Sequence, residues 1–156
     1  MADDLEILRL LRRHRVPFVV IGGHAVNFHG YLRITEDSDV VWLRSPESEQ
    51  SLLRALTELN AQYIGSEIDP ATSLERSYPV TISYIQGAHL MMLSTKMGFL
   101  DLFDYVPGAQ AEEVEKLLAT SIESDGLRFA SLDWLRRMKQ STDRAKDKND
   151  LENLPD

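Results

Sequence analysis

The chain has 156 residues, with 17 Lys and Arg against 25 Asp and Glu, a formal charge of −8. Hydrophobic residues at 43% and charged residues at 27% suit one folded domain over 1–156 and exclude disorder over most of the length. Zero cysteines exclude disulfides, thiolate metal sites and cysteine nucleophiles. No apolar run reaches the ~18 residues of a membrane span, and the start MADDLEILRLLRRHR is not a signal peptide, so no membrane partner and a cytoplasmic location are expected.

Asp3 or Asp4 is expected to cap a first helix running through Arg13, with Leu5, Leu8 and Leu11 at helical spacing. Phe18-Val19-Val20-Ile21 reads as a buried strand. Gly22-Gly23 punctuates it, and His24 to His29 form a short helix ending at Gly30. Asp39 to Trp42 reads as a second strand. Ser45-Pro46 starts a helix with Leu52, Leu53, Leu56 and Leu59 on one face, ending near Asn60. Residues 69–79 have a loop's composition, and Val80 to Ile85 alternate like an edge strand. Leu90 to Leu93 and Phe99 to Phe103 are strands joined around Lys96-Met97-Gly98. Ala111 to Ala119 are helical, and Ile122 to Phe129 form a hairpin turned at Asp125-Gly126. Ser131 caps a helix carrying Leu132, Leu135 and Met138, and a last helix covers about 147–154. The order gives an α+β (mixed α/β) domain whose part from about 131 to 154 is helical.

Charge is uneven. Leu127 to Lys148 hold seven basic residues and three acids, a net +4 beside a remainder of −12. Such a stretch is either a solvated helix face or a place to hold phosphate near carboxylates.

The chemistry-bearing residues begin at the diglycine. Gly22 and Gly23 allow close backbone approach at a strand-to-helix turn. Asp37 and Asp39 are two apart on a strand and so project to one face, where their oxygens can hold Mg²⁺. Asp101 sits among Phe99, Leu100, Leu102 and Phe103, where an acid is costly unless paired or metal-bound. Asp104 is out of phase with it and is expected at an exposed strand end. Arg33 and Thr35 lie just upstream of the paired acids, within reach of phosphate or sugar. His24 and His29 are five apart, not the four of a helical zinc pair, and Trp42 and Trp134 read as packing residues. There is no Gly-x-Ser-x-Gly elbow and no Walker motif.

Three stretches together resemble the small nucleotidyltransferases of the DNA polymerase β-like superfamily. They are Gly-Gly-x-Ala with His-Gly-x-x-Arg-x-Thr-x-Asp-x-Asp, the strand around Asp101, and Ser131 to Lys139 followed by Arg144-Ala145-Lys146-Asp147. The nearest branch is that of AbiEii-type abortive-infection toxins and minimal single-domain nucleotidyltransferases, and the resemblance covers about 18–154. It implies a mixed sheet flanked by helices, with Asp37, Asp39 and Asp101 catalytic and binding Mg²⁺ (or Mn²⁺). It implies further that Gly22 and Gly23 hold an NTP by backbone contacts, and that Lys139 and Arg144 neutralise its phosphates.

The implied reaction moves an NMP group from an NTP, such as ATP, to a hydroxyl of an RNA, protein or small molecule, releasing pyrophosphate. A toxin or defence role, an antitoxin-like partner and a homo-oligomer are all compatible with that branch. The alternative is a catalytically silent NTP- or partner-binding module. The chain departs from the family pattern at Gly23, where a serine is familiar, at Ser38, where an apolar residue is usual, and at Asp143, where glycine is common.

Overall fold

A computed structural model describes residues 5–109, 113–142 and 144–155, without the side chain of Ser66. The expected cap at Asp3 or Asp4, residues 111–112 of the helix expected over 111–119 and the departure at Asp143 lie outside them.

Helix α1 (Glu6–Arg13) turns Ile7, Leu8, Leu10 and Leu11 into the core. Strand β1 (Phe18–Ile21) is buried along its whole length, as expected of a β-branched run with strands on both sides. Helix α2 (Gly22–Phe28) begins two residues earlier than its composition suggests, so the glycines form its first turn. Strand β2 (Asp37–Trp42) also starts two residues earlier, which brings both aspartates into the sheet. Helix α3 (Pro46–Glu58) carries the expected cap: Ser48 N–H donates to Ser45 Oγ at 3.0 Å, and Ser45 N–H donates to Ser48 Oγ at 2.7 Å.

The middle of the chain differs from its composition. Strands β3 (Gln62–Ile68) and β4 (Glu75–Pro79) pair antiparallel, so the second half of the expected 69–79 loop is an edge strand. Their side chains are largely exposed, leaving no apolar alternation to read; backbone pairing alone makes them strands. The expected strand over 80–85 is instead α4 (Ile82–Gly87), capped when Tyr84 N–H donates to Thr81 Oγ1 at 3.2 Å. Ile85 anchors α4 in the core, and Tyr84 stacks on Tyr63 with ring centroids 3.9 Å apart.

Strands β5 (Leu90–Thr95) and β6 (Gly98–Phe103) form the expected hairpin. Helix α5 is described over Glu113–Ala119. The hairpin β7 (Ile122–Ser124) and β8 (Leu127–Phe129) turns at Asp125 and Gly126, both with positive φ (52° and 81°), as a tight two-residue turn requires. Helices α6 (Leu132–Gln140) and α7 (Ala145–Asn153) follow.

All eight strands form one sheet in the order β4-β3-β5-β6-β2-β1-β8-β7. The pairs β2–β6 and β1–β8 are parallel and the rest antiparallel, so the sheet is mixed and the class α+β, as expected. Trp42 and Trp134 are packing residues, both buried. Arg44 lies over the Trp42 ring and donates to Asp104 Oδ2 at 3.0 Å. Asp104, expected at an exposed end, is instead a paired structural acid, because this distant arginine and His89 Nδ1 (2.9 Å) both reach it. Among the described residues, no helix is long and apolar enough to cross a membrane.

Candidate active site

The register of three strands assembles the centre. Ile21 of β1 lies opposite Asp39 of β2, and Asp39 lies opposite Asp101 of β6. Positions far apart in the chain thus form one row across the sheet, with Asp37 two residues earlier on the same face of β2. Gly22 ends the row at the β1–α2 junction with φ +67°, and a Cβ there would run into the Asp39 carboxylate. Conformation and space both demand glycine at that position. Gly23 is constrained by space alone, because a Cβ would fall 2.6 Å from Thr35 Cβ and 3.2 Å from Arg33 Nη1. Thr35 therefore stands where a side chain at 23 would go, and its hydroxyl donates to Asp37 O at 3.2 Å.

The acids repel one another. Burial, then the charge of Asp101, a hydrogen bond shared with it and the charge of Asp37 push Asp39 up from 3.8 to about 7, with Lys146 partly opposing. Burial also raises Asp101, as does Asp37, while the hydrogen bond from Asp39 lowers it. The ionisation of each therefore opposes that of the other. A bound divalent cation would relieve that repulsion, and hard carboxylate oxygens suit Mg²⁺, which keeps waters and shares phosphate oxygens. The donor chemistry of Asp37, Asp39 and Asp101 fits such an ion, although among the described residues no three acids or histidines already converge as a closed cage.

Two cavities are lined by these carboxylates. One, about 460 Å³ with its open mouth, is lined by Gly22 and Asp39 on the sheet side and Lys139, Thr142, Arg144 and Asp147 on the helical side. The other, about 680 Å³, holds Asp37 and Asp101 beside Ile64, Met92 and Phe99.

Arg33, Lys139 and Arg144 are brought together, but by two acids that sequence reasoning missed. Asp150 takes a bidentate pair from Arg33 (Nε 2.8 Å, Nη2 2.9 Å) and an ion pair from Lys139 Nζ at 2.8 Å. Asp147 takes Lys139 Nζ at 3.1 Å, Arg144 Nε at 2.8 Å and Thr142 Oγ1 at 2.6 Å. Lys139 and both acids are buried, whereas the Arg144 side chain is 73% exposed. Burial alone would raise the two acids; these hydrogen bonds and cations outweigh it and hold both below the usual carboxylate value. Tyr31 OH accepts from Asn149 Nδ2 at 2.8 Å, a second tie from the Arg33 loop to α7. The available signal was the i, i+3 spacing of Asp147 and Asp150, which puts two acids on one helix face. His24 is buried in α2, and His29 Nε2 bonds Ala130 O at 2.8 Å, which separates the two histidines.

No family model matches the chain, and no curated protein matches it. Solved structures do. A nucleotidyltransferase-like antigenic protein from Paracoccidioides brasiliensis superposes with a TM-score of 0.51 at 18% identity, over 96% of this chain and 70% of that one. The antibiotic-resistance factor ANT(2'')-Ia gives 0.49 at 16% identity, over 83% of this chain and 64% of that one. JHP933 from Helicobacter pylori gives 0.46 at 17%, over 94% and 62%. The chain thus spans less than two thirds of the length of the latter two. The first likeness shows the fold: a nucleotidyltransferase-type mixed sheet with flanking helices.

Proposed function

We propose that this nucleotidyltransferase-type fold binds an NTP and transfers its NMP group to an acceptor hydroxyl, releasing pyrophosphate. The observation that carries the proposal is the in-register pair Asp39–Asp101 beside the Gly22 backbone, with Asp37 two residues earlier on the same face. Fold alone does not establish activity, so the weight rests on this row.

In this reading Asp37, Asp39 and Asp101 hold Mg²⁺ or Mn²⁺, which supplies charge neutralisation at the phosphates. The backbone at Gly22 and Gly23 receives the triphosphate, and Thr35, Arg33, Lys139 and Arg144 line or support its place. The acceptor oxygen attacks the α-phosphorus in line and the bond to the bridging oxygen of pyrophosphate breaks. Asp101 accepts the hydroxyl proton. Positioning and electrostatics supply the rate. With the nucleotide in the cleft bearing Arg144, the acceptor enters from the groove holding Asp101, Met92 and Phe99, whose apolar wall suits an acceptor with an apolar body. Residues 1–156 act as one cytoplasmic domain. A toxin or defence role of the AbiEii type, with an antitoxin-like protein or a second copy as partner, belongs to the same proposal.

The test is transfer of label from each α-labelled NTP, with Mg²⁺ or Mn²⁺, into RNA, protein and small-molecule fractions. The Asp39→Asn protein serves as control. Label entering one fraction with the wild type alone supports transfer and names the acceptor class; NTP binding with no label in any fraction favours the silent module. The second reading draws support from Arg33 and Lys139, whose charges already face Asp147 and Asp150.

A further inference from the structure

Strands β5 and β6 are apolar on both faces. Met91 and Leu93 of β5 and Leu100 and Leu102 of β6 face the core, yet Met92 and Phe99, which point the other way, are apolar too. An antiparallel stretch with one face in water ordinarily carries polar residues there. Among the described residues nothing covers that second face: Ile64, Met92 and Phe99 are 64%, 64% and 57% exposed. Register sets the patch against the row of acids. Met92 lies opposite Asp101, and Phe99 lies opposite both Asp37 and Ser94. Ile64 lies one step past the Tyr63–Leu93 pair, on the far side of Met92. These three apolar side chains wall the groove of about 680 Å³ that also holds Asp37 and Asp101. Among the described residues that line it, Ser94 is the one uncharged polar side chain and none is Lys or Arg.

Size and charge select the occupant. The pad crosses three strands, about 10 Å, which is small beside the roughly 800 Å² that each partner buries in a stable protein interface. The groove's volume falls instead in the range of about 300–1,000 Å³ typical of small-molecule sites. A polyanion such as RNA would set its phosphates beside two carboxylates, with no cation on the wall to meet them. We propose that this face is the acceptor subsite, that its acceptor is an uncharged small alcohol or phenol with an apolar body, and that Phe99 and Met92 set this specificity. The inference rests on the nucleotidyl-transfer reading above and narrows its acceptor to one class. The apolar body lies on Phe99 and Met92 and turns its hydroxyl toward Asp101. The acceptor oxygen bonds to the α-phosphorus, the bond from that phosphorus to pyrophosphate breaks, and the hydroxyl proton passes to Asp101. The products are the nucleotidyl ester of the alcohol and pyrophosphate.

The experiment is NMR of the full chain carrying ¹³C-methyl methionine, in Mg²⁺, because two methionines report two different cavities. Met92 lines the apolar groove, and Met138 lines the cleft with Lys139 and Arg144. Met92→Leu and Met138→Leu assign the two signals. The probes are the α,β-methylene analogues of the four common NTPs, then 2-(2-naphthyl)ethanol, then 2-naphthylacetate, which has the same body with a charge, and a single-stranded RNA hexamer. The analogue that binds is expected to move Met138, and the alcohol to move Met92 to saturation. The carboxylate binds about tenfold more weakly than the alcohol, repelled by Asp37 and Asp101, and RNA leaves Met92 in place. Phe99→Ser weakens alcohol binding about tenfold, as loss of part of an aromatic burial does. It leaves the Met138 response and the melting temperature unchanged, because Phe99 is exposed. In turnover with an α-labelled NTP it raises KM for the alcohol and leaves kcat alone.

A Met92 signal that the alcohol does not move overturns the inference and spares nucleotide binding at Met138. Equal binding of alcohol and carboxylate, or a Phe99→Ser protein with unchanged affinity and KM, does the same. Met92 shifts caused by RNA, or by raising the concentration of the protein alone, overturn it in favour of a nucleic acid or a second copy. A Met138 signal that no analogue moves overturns the nucleotidyl-transfer reading and the inference with it.

Discussion

Replacing Asp39 with Asn should stabilise the metal-free protein at high pH, contrary to the usual effect of altering a partly buried polar group. A carboxyl displaced from 3.8 to about 7 costs about 4 kcal/mol to ionise in the folded state, at about 1.4 kcal/mol per factor of ten. Asp101 is raised as well and relaxes when the neighbouring charge is removed, so the gain is taken as about half that figure, about 2 kcal/mol. For a chain of 156 residues that is a rise of about 4–8 °C in melting temperature.

The sign follows from linkage. Where the folded value lies above the unfolded one, the penalty is absent below about pH 4 and complete above about pH 7. Denaturation of wild type and Asp39→Asn at pH 4 and pH 8, with chelator, measures the difference. The asparagine protein should be the more stable at pH 8 and indistinguishable at pH 4. Adding millimolar Mg²⁺ at pH 8 should stabilise the wild type alone. An asparagine protein less stable at pH 8, or a gain of equal size at both pH values, would refute the electrostatic account of the row Gly22–Asp39–Asp101.

Asp150→Ala leaves Arg33 and Lys139 without their common acid and should cost about 3–5 kcal/mol in urea denaturation. Adding Lys139→Met should recover part of that loss, and strict additivity would count against the network. Because Asp147 and Asp150 are held below their unfolded values, their contribution is full above about pH 4 and is lost as pH falls through the folded values. Asp150→Asn should therefore flatten the acid limb of a stability–pH curve, and an unchanged limb would oppose the assignment. Gly22→Ala forces a left-handed backbone onto alanine and a methyl against the Asp39 carboxylate. It should cost about 2 kcal/mol and remove the Mg²⁺-dependent stabilisation, both visible in one melting series.

Local chemistry made much of this protein legible in the sequence. Ser45-Pro46 starts a helix because its cap and its missing donor lie within three residues. Phe18 to Ile21 can only be a buried strand, and Asp125-Gly126 turns a hairpin because the turn requires positive φ at both residues. The strands that carry Asp39 and Asp101 were legible as well; that β2 starts two residues earlier and takes in Asp37 was not, although alternation then puts Asp37 on the same face.

Tertiary structure decided the rest. The alignment of Asp39 with Asp101 is a matter of register between parallel strands separated by a long stretch of chain, which no local pattern encodes. Strands β3 and β4 exist because backbone groups pair at a sheet edge, with little apolar burial to mark them. The fate of Lys139 turns on Asp147 and Asp150, and that of Asp150 on Arg33, 117 positions away. A charge pattern shows that acids and bases are near in sequence. Only the packing of α6, α7 and the Arg33 loop decides which cations are buried and neutralised, and which stay free, because the cost of burying a charge depends on every partner the fold brings to it.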